Sequence, residues 1–99
     1  LCGSMFGLGT KTAFLPRHRL FETSGFLIEP GWCQHPDKPS CMVAGHGKDG
    51  YRGDGLSAAD ARIAMGIDWM NRAEMAQAVP PAYTEWIGRQ AIAQLRLAA

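Results

Sequence analysis

The sequence predicts a mixed α/β unit in which a short stretch of sheet and an irregular loop precede three carboxy-terminal helices. Three observations predict it. Helical patterning with repeated capping signals is confined to the part after Gly55. The amino-terminal run Leu1–Gly9 and the run Leu20-Phe21-Glu22-Thr23 have the apolar and aromatic character of strands. Between them and the helices, Pro30, Pro36, Pro39 and the glycines 45, 47, 50, 53 and 55 punctuate the chain too often for either kind of element.

Leu1-Cys2-Gly3-Ser4-Met5-Phe6-Gly7-Leu8-Gly9 suits a strand end running into a tight loop, either buried or lining a ligand crevice. Strand geometry from Arg17 onward puts Arg17, Arg19 and Phe21 on one face and His18 and Leu20 on the other. Two guanidiniums on one face suit an anion or a base edge, because each offers a rigid fork of donors. The plainer alternative is a solvated strand start paired with Glu22 or Glu29.

Loops as long as residues 25–55 are usually functional or disordered. Cys33, His35, Cys41 and His46 are all ligand types for zinc, but they lack the paired Cys-x-x-Cys spacing, and the expectation is that they hold no metal. Lys48, Tyr51 and Arg52 are either a small basic and aromatic contact for a nucleic-acid backbone or a solvated loop.

Ser57-Ala58-Ala59-Asp60 fits a capping box and Gly66 a left-handed stop, so a first helix is expected from about Ala58 to Met65. Asn71-Arg72-Ala73-Glu74, flanked by Met70 and Met75 at staple spacing, starts a second near Arg72. Pro80 and Pro81 end it, and Pro81 opens a third that runs to about Leu97 with Tyr83, Ile87, Ala91 and Leu95 on a core-facing stripe.

Ninety-nine residues with 46% apolar content make one unit of modest core. A net charge of +1 is too balanced for a broad phosphate-neutralising surface, so any nucleic-acid contact is local. Three cysteines without secretory context imply reduced thiols in a cytoplasm, and no run is long enough to cross a bilayer. The start at Leu1, with no signal-peptide pattern, reads as a piece of a longer chain.

Taken in order, Gly-x-x-Phe-Gly at Gly3–Gly7, Arg17-His18-Arg19-Leu20-Phe21, the loop, Ala58 to Trp69, and Gln77-Ala78-Val79-Pro80-Pro81 leading into Glu85-Trp86-Ile87-Gly88 resemble the carboxy-terminal part of DNA (cytosine-5) methyltransferases, in particular the compact bacteriophage type. Leu15 stands where that family usually has Gln, and Ala76-Gln77 where it has Gly-Asn. The resemblance implies a fragment of a Rossmann-like α/β fold. Residues 1–24 would end the catalytic sheet, 25–55 would be a reduced target-recognition region, and 56–99 would close the cofactor side. It further implies that Arg17 and Arg19 contact the flipped cytosine and that Gln77, Ala78, Val79 and Pro80 line the S-adenosyl-L-methionine pocket. Double-stranded DNA and the missing amino-terminal catalytic part would be the partners, in a bacterial host or encoded by a phage. The family's Pro-Cys nucleophile and glycine-rich cofactor loop are not in these residues, so the chain alone is expected to methylate nothing. The competing expectations are a small helix-turn-helix-like DNA-binding module around Gly66–Met70, and a zinc-ordered interaction domain.

Overall fold

The computed structural model describes residues 1–43 and 56–98. Three helices stand where the capping chemistry places them: α1 is Ala58–Met65, α2 is Arg72–Gln77 and α3 is Pro81–Ala98. The Ser57 hydroxyl accepts from the Asp60 amide at 3.1 Å, and Gly66 ends α1 at φ 71°, where a side chain would be strained. At α2 both halves of the box close: Asn71 Oδ1 accepts the Glu74 amide at 2.9 Å, and Glu74 Oε1 accepts the Asn71 amide at 3.0 Å.

These two helices share the core. Ala61, Ala64 and Met65 of α1, Ile67, and Met75 of α2 are buried with Leu15, Cys41 and Val43, while Leu8, Ala13, Leu56, Met70 and Ala78 close the cluster's edge. Two alanines on α1 let the neighbouring backbone come close, and two methionines fill the irregular space that remains.

The amino-terminal half corrects the expected fold class. Among the described residues there is no strand, only isolated bridges that pair Gly9 with Phe14 and Phe14 with Ser40. Gly3–Phe6 forms a single 3₁₀ turn, η1, where a strand end was expected. Arg17 has φ 33°, a left-handed turn that breaks the two-residue alternation, so Arg17 and Arg19 do not share a strand face. Leu20, just beyond it, is fully exposed at 102%. A short apolar run becomes a strand only where a neighbour offers a continuous ladder; here the Gly3 amide reaches the Pro16 carbonyl, while the Met5 and Leu8 amides turn back onto Cys2 and Gly3. The described architecture is therefore helical with ordered loops, and an α/β Rossmann-like fragment does not fit it.

Arg17 also explains how the loops meet the helices. Its Nη2 donates to the carbonyls of Met75 (3.0 Å), Ala76 (3.0 Å) and Ala78 (2.9 Å), and its Nε donates to Ala78 at 3.2 Å. These carbonyls lie at the end of α2, where that of Met75 also accepts the Ala78 amide at 3.2 Å, and a cation suits the negative end of a helix. Burial, then the neighbouring Arg19 charge, lowers the Arg17 pKa. A left-handed φ costs a non-glycine residue about 1–3 kcal/mol, and this set of charge-assisted bonds offsets it.

Tyr83, fully buried, anchors the start of α3. Its hydroxyl donates to the Arg17 carbonyl at 2.8 Å, and its ring packs on Phe6 at 5.4 Å and Phe21 at 6.2 Å between centroids. Burial, then the Cys2 thiol, pushes its pKa up to about 12. Folding thus favours the neutral phenol: the contribution is complete below the unfolded value of about 10 and is lost as pH rises through about 12. In an absorbance titration, the component that Tyr83→Phe removes is expected at about 12 or together with alkaline unfolding. Ionisation of that component near the ordinary tyrosine value, in a folded chain, would contradict the placement.

Beyond its second turn α3 departs from the expected apolar stripe. Ile87 and Ala91 are half-buried, but Leu95 is 66% exposed. The face toward the loop is carried by Gln90 and Gln94 instead. Gln94 accepts the Leu27 amide at 3.0 Å and donates to the Leu27 carbonyl; Gln90 accepts the Glu29 amide at 2.7 Å and donates to the Glu29 carbonyl at 3.4 Å. The match is geometric: four helical residues rise about 6 Å and two extended residues about 6.6 Å. Two side-chain amides one turn apart therefore grip alternate residues of an extended segment, and Trp86 Nε1 adds a bond to Glu29 at 3.2 Å. Gln94→Ala is expected to speed hydrogen exchange at Leu27, and Gln90→Ala at Glu29. Each should cost under about 1.5 kcal/mol, because the bonds are exposed. Equal effects of each variant on both amides would argue against the one-to-one pairing.

Candidate metal centre

Four ligand side chains from distant parts of the sequence converge at the amino-terminal end: Cys2, His18, Cys33 and His35, with all four ligand atoms within 4.8 Å of one another. Backbone pairing brings the first two together. Arg19 N donates to Leu1 O at 3.1 Å, Leu1 N donates to Arg19 O at 2.8 Å, and Gly3 N donates to Pro16 O at 2.6 Å. That approach requires glycine, since a Cβ at Gly3 would stand 1.9 Å from the Leu15 carbonyl oxygen. The other two arrive on the 31–35 segment, which turns at Gly31 (φ 68°) and is tied down by the Gln34 amide donating to Ser4 Oγ at 2.8 Å. Cys33 and His35 are two residues apart, the spacing at which an extended chain points side chains the same way.

The polar contacts within the cluster run in crossed pairs. Cys2 Sγ lies 3.3 Å from His35 Nε2, and Cys33 Sγ lies 3.4 Å from His18 Nε2. The His18 and His35 rings stack at 5.5 Å, and Phe14 backs His35 at 4.9 Å. Bond lengths of about 2.3 Å to sulfur and about 2.05 Å to nitrogen, at the tetrahedral angle, put sulfur and nitrogen ligands about 3.6 Å apart. Both crossed pairs, at 3.3 and 3.4 Å, are close to that spacing, and the remaining pairs lie within 4.8 Å. Two thiols and two imidazoles form a donor set that zinc favours.

Cys2 is buried and the other three residues are exposed. Desolvation of the sulfur, then the hydrogen bond and charge of Cys2, push the Cys33 thiol up. Two thiolates sharing one site repel each other, and a divalent cation between them reverses the effect. A cleft of about 450 Å³ lies beside the cluster, with Arg17, His18, Arg19 and His35 on its wall.

The residues singled out from the sequence fall differently. Arg17 is occupied by the α2 carbonyls, and Arg19 is exposed with Nη1 on the His18 carbonyl at 2.7 Å. Gln77 ends α2 on the surface, Ala78 caps it, Val79 is 37% exposed and Pro80 is buried. Lys48, Tyr51, Arg52 and His46 lie outside the described residues. Of the four candidate ligands in the loop, the structure brings Cys33 and His35 together, whereas Cys41 is in the apolar core. Cys2 and His18 were missed. His18 sat inside an Arg-x-Arg pattern that drew attention to its neighbours, and no local spacing links Cys2 to it.

No protein-family model, curated protein or solved structure matches the chain. The resemblance to DNA (cytosine-5) methyltransferases is thereby corrected on two grounds: a helical architecture replaces the Rossmann-like sheet, and the clustered chemistry is a Cys and His ligand set. The methyltransferase activity and the S-adenosyl-L-methionine pocket go with it, and the ligand cluster points to a metal rather than to that cofactor. Among the described residues, no helix is long and apolar enough to cross a membrane.

Proposed function

We propose that the chain is a small helical interaction module whose amino-terminal loops are ordered by zinc held by Cys2, His18, Cys33 and His35. The observation that carries this is the convergence of two thiols and two imidazoles within 4.8 Å from three separate stretches of chain. Four protein ligands fill a tetrahedral ion and leave no position for a substrate, so the ion's work is structural. It ties the first residues to the 31–35 segment, where the described chain has little core of its own. The loops so ordered display Leu20, Leu27 and Trp32, exposed at 102%, 81% and 85%. Side chains of this kind on a rigid platform suit contact with another protein.

Cobalt substitution tests the coordination. Cobalt(II) added to the metal-free chain is expected to give the intense visible bands of a tetrahedral ion together with sulfur-to-cobalt charge transfer, and Cys33→Ser is expected to weaken both. The pale spectrum of an octahedral aquo ion, unchanged by Cys33→Ser, would overturn the assignment.

A further inference from the structure

The metal centre places two thiols of unequal access side by side. Cys2 is buried at 1% exposure and held by the packing of Gly3 on Leu15 and Pro16, whereas Cys33 is exposed on a segment whose residues from Glu29 to Pro39 are all exposed. Their sulfurs are within 4.8 Å, and a disulfide needs about 2.05 Å, so a shift of under about 3 Å by the 31–35 segment joins them. Cys33, an exposed residue, can be reached by an oxidant, and the buried Cys2 beside it is positioned to resolve what forms there.

We propose that Cys2 and Cys33 form a peroxide-sensitive couple, which expels the zinc as a disulfide and takes it back on reduction. This rests on the metal reading above. In the forward step the Cys33 thiolate attacks one oxygen of hydrogen peroxide; the O–O bond breaks, Cys33 becomes a sulfenic acid, and the hydroxide released takes a proton to become water. The Cys2 thiolate then attacks the Cys33 sulfur, the S–O bond breaks, and a second hydroxide leaves and is protonated. Two thiolates have given up two electrons, one peroxide has accepted them with two protons, and the products are one disulfide and two waters. Zinc loses both sulfur ligands at once, and the two imidazoles that remain cannot hold it at a tetrahedral site. A thiol reductant restores both thiolates by exchange.

The test uses the full chain, loaded with zinc and treated with hydrogen peroxide. Released zinc is followed with a chromogenic chelator, and the oxidised chain is digested without reduction and mapped by mass spectrometry. The expected result is zinc release in a one-to-one ratio with chain, a linked peptide joining Cys2 to Cys33, and recovery of bound zinc after dithiothreitol and added zinc. Zinc that stays bound under peroxide overturns the couple alone, as does zinc lost with Cys33 over-oxidised or bridged to Cys41. Failure of the chain to take up zinc before any peroxide is added overturns the metal reading, and the couple with it. Because the map is made on the unsubstituted chain, the result does not depend on a cysteine variant folding.

Discussion

Arg17→Met is expected to lower the midpoint of thermal unfolding by roughly 8–15 °C. The methionine keeps most of the apolar stem but removes every donor that Arg17 offers to the Met75, Ala76 and Ala78 carbonyls. Hydrogen bonds from a charged donor contribute about 1.5–3 kcal/mol, and partial exposure of the guanidinium places this set toward the lower half of that range. For a chain of this size each kcal/mol moves the midpoint by about 4–8 °C. The effect should be local as well as global, since the end of α2 loses the cation that covers its carbonyls. Arg17→Lys should recover only part of the loss, because one ammonium cannot present the fork that reaches three carbonyls. A midpoint within about a degree of the parent would mean that water satisfies those carbonyls, and that Arg17 is free for other work.

Removing zinc is expected to have the larger effect. At free zinc a thousand times the dissociation constant, binding to the folded state alone contributes about 4 kcal/mol, which corresponds to a shift of more than about 15 °C. The shift should grow with the logarithm of zinc concentration and vanish in Cys33→Ser. It should also depend on pH in a definite direction. Zinc binds cysteine as the thiolate, so each sulfur ligand must give up its proton as the ion enters. Affinity is therefore expected to rise between about pH 6 and 9, with proton release detectable by calorimetry in buffers of different ionisation enthalpy. Trp32, next to Cys33 and 85% exposed, offers a fluorescence signal for the same transition. A thermal midpoint indifferent to chelator and to pH over that range would speak against a structural ion.

The helices were legible because their signals are local. A capping residue, its partner three positions on and a glycine stop lie within one or two turns, and Ser57, Asn71, Glu74 and Gly66 do in the structure what their chemistry implies. The amino-terminal half was not legible, for a physical reason. Leu20-Phe21-Glu22-Thr23 has strand-like side chains, but whether such a run becomes a strand depends on partners elsewhere, and the left-handed turn at Arg17 is held by bonds to residues about sixty positions away. The same distance hid the site. Cys33 and His35 were visible as a close pair, but Cys2 and His18 join them only through the pairing of Leu1 with Arg19 and of Gly3 with Pro16. Gln90 and Gln94 show the converse. Polar residues on a helix read as a solvated face, yet their one-turn spacing matches an extended backbone and holds it.

Elemental analysis of the chain, purified without added metal and dialysed against metal-free buffer, tests the central claim most directly. The account predicts zinc in a one-to-one ratio with protein, lost in a Cys33→Ser, His35→Ala variant, with the amino-terminal amides then exchanging freely while those of α1 and α2 stay protected. A metal-free chain with the same exchange pattern and the same thermal midpoint as the zinc-treated one would contradict it.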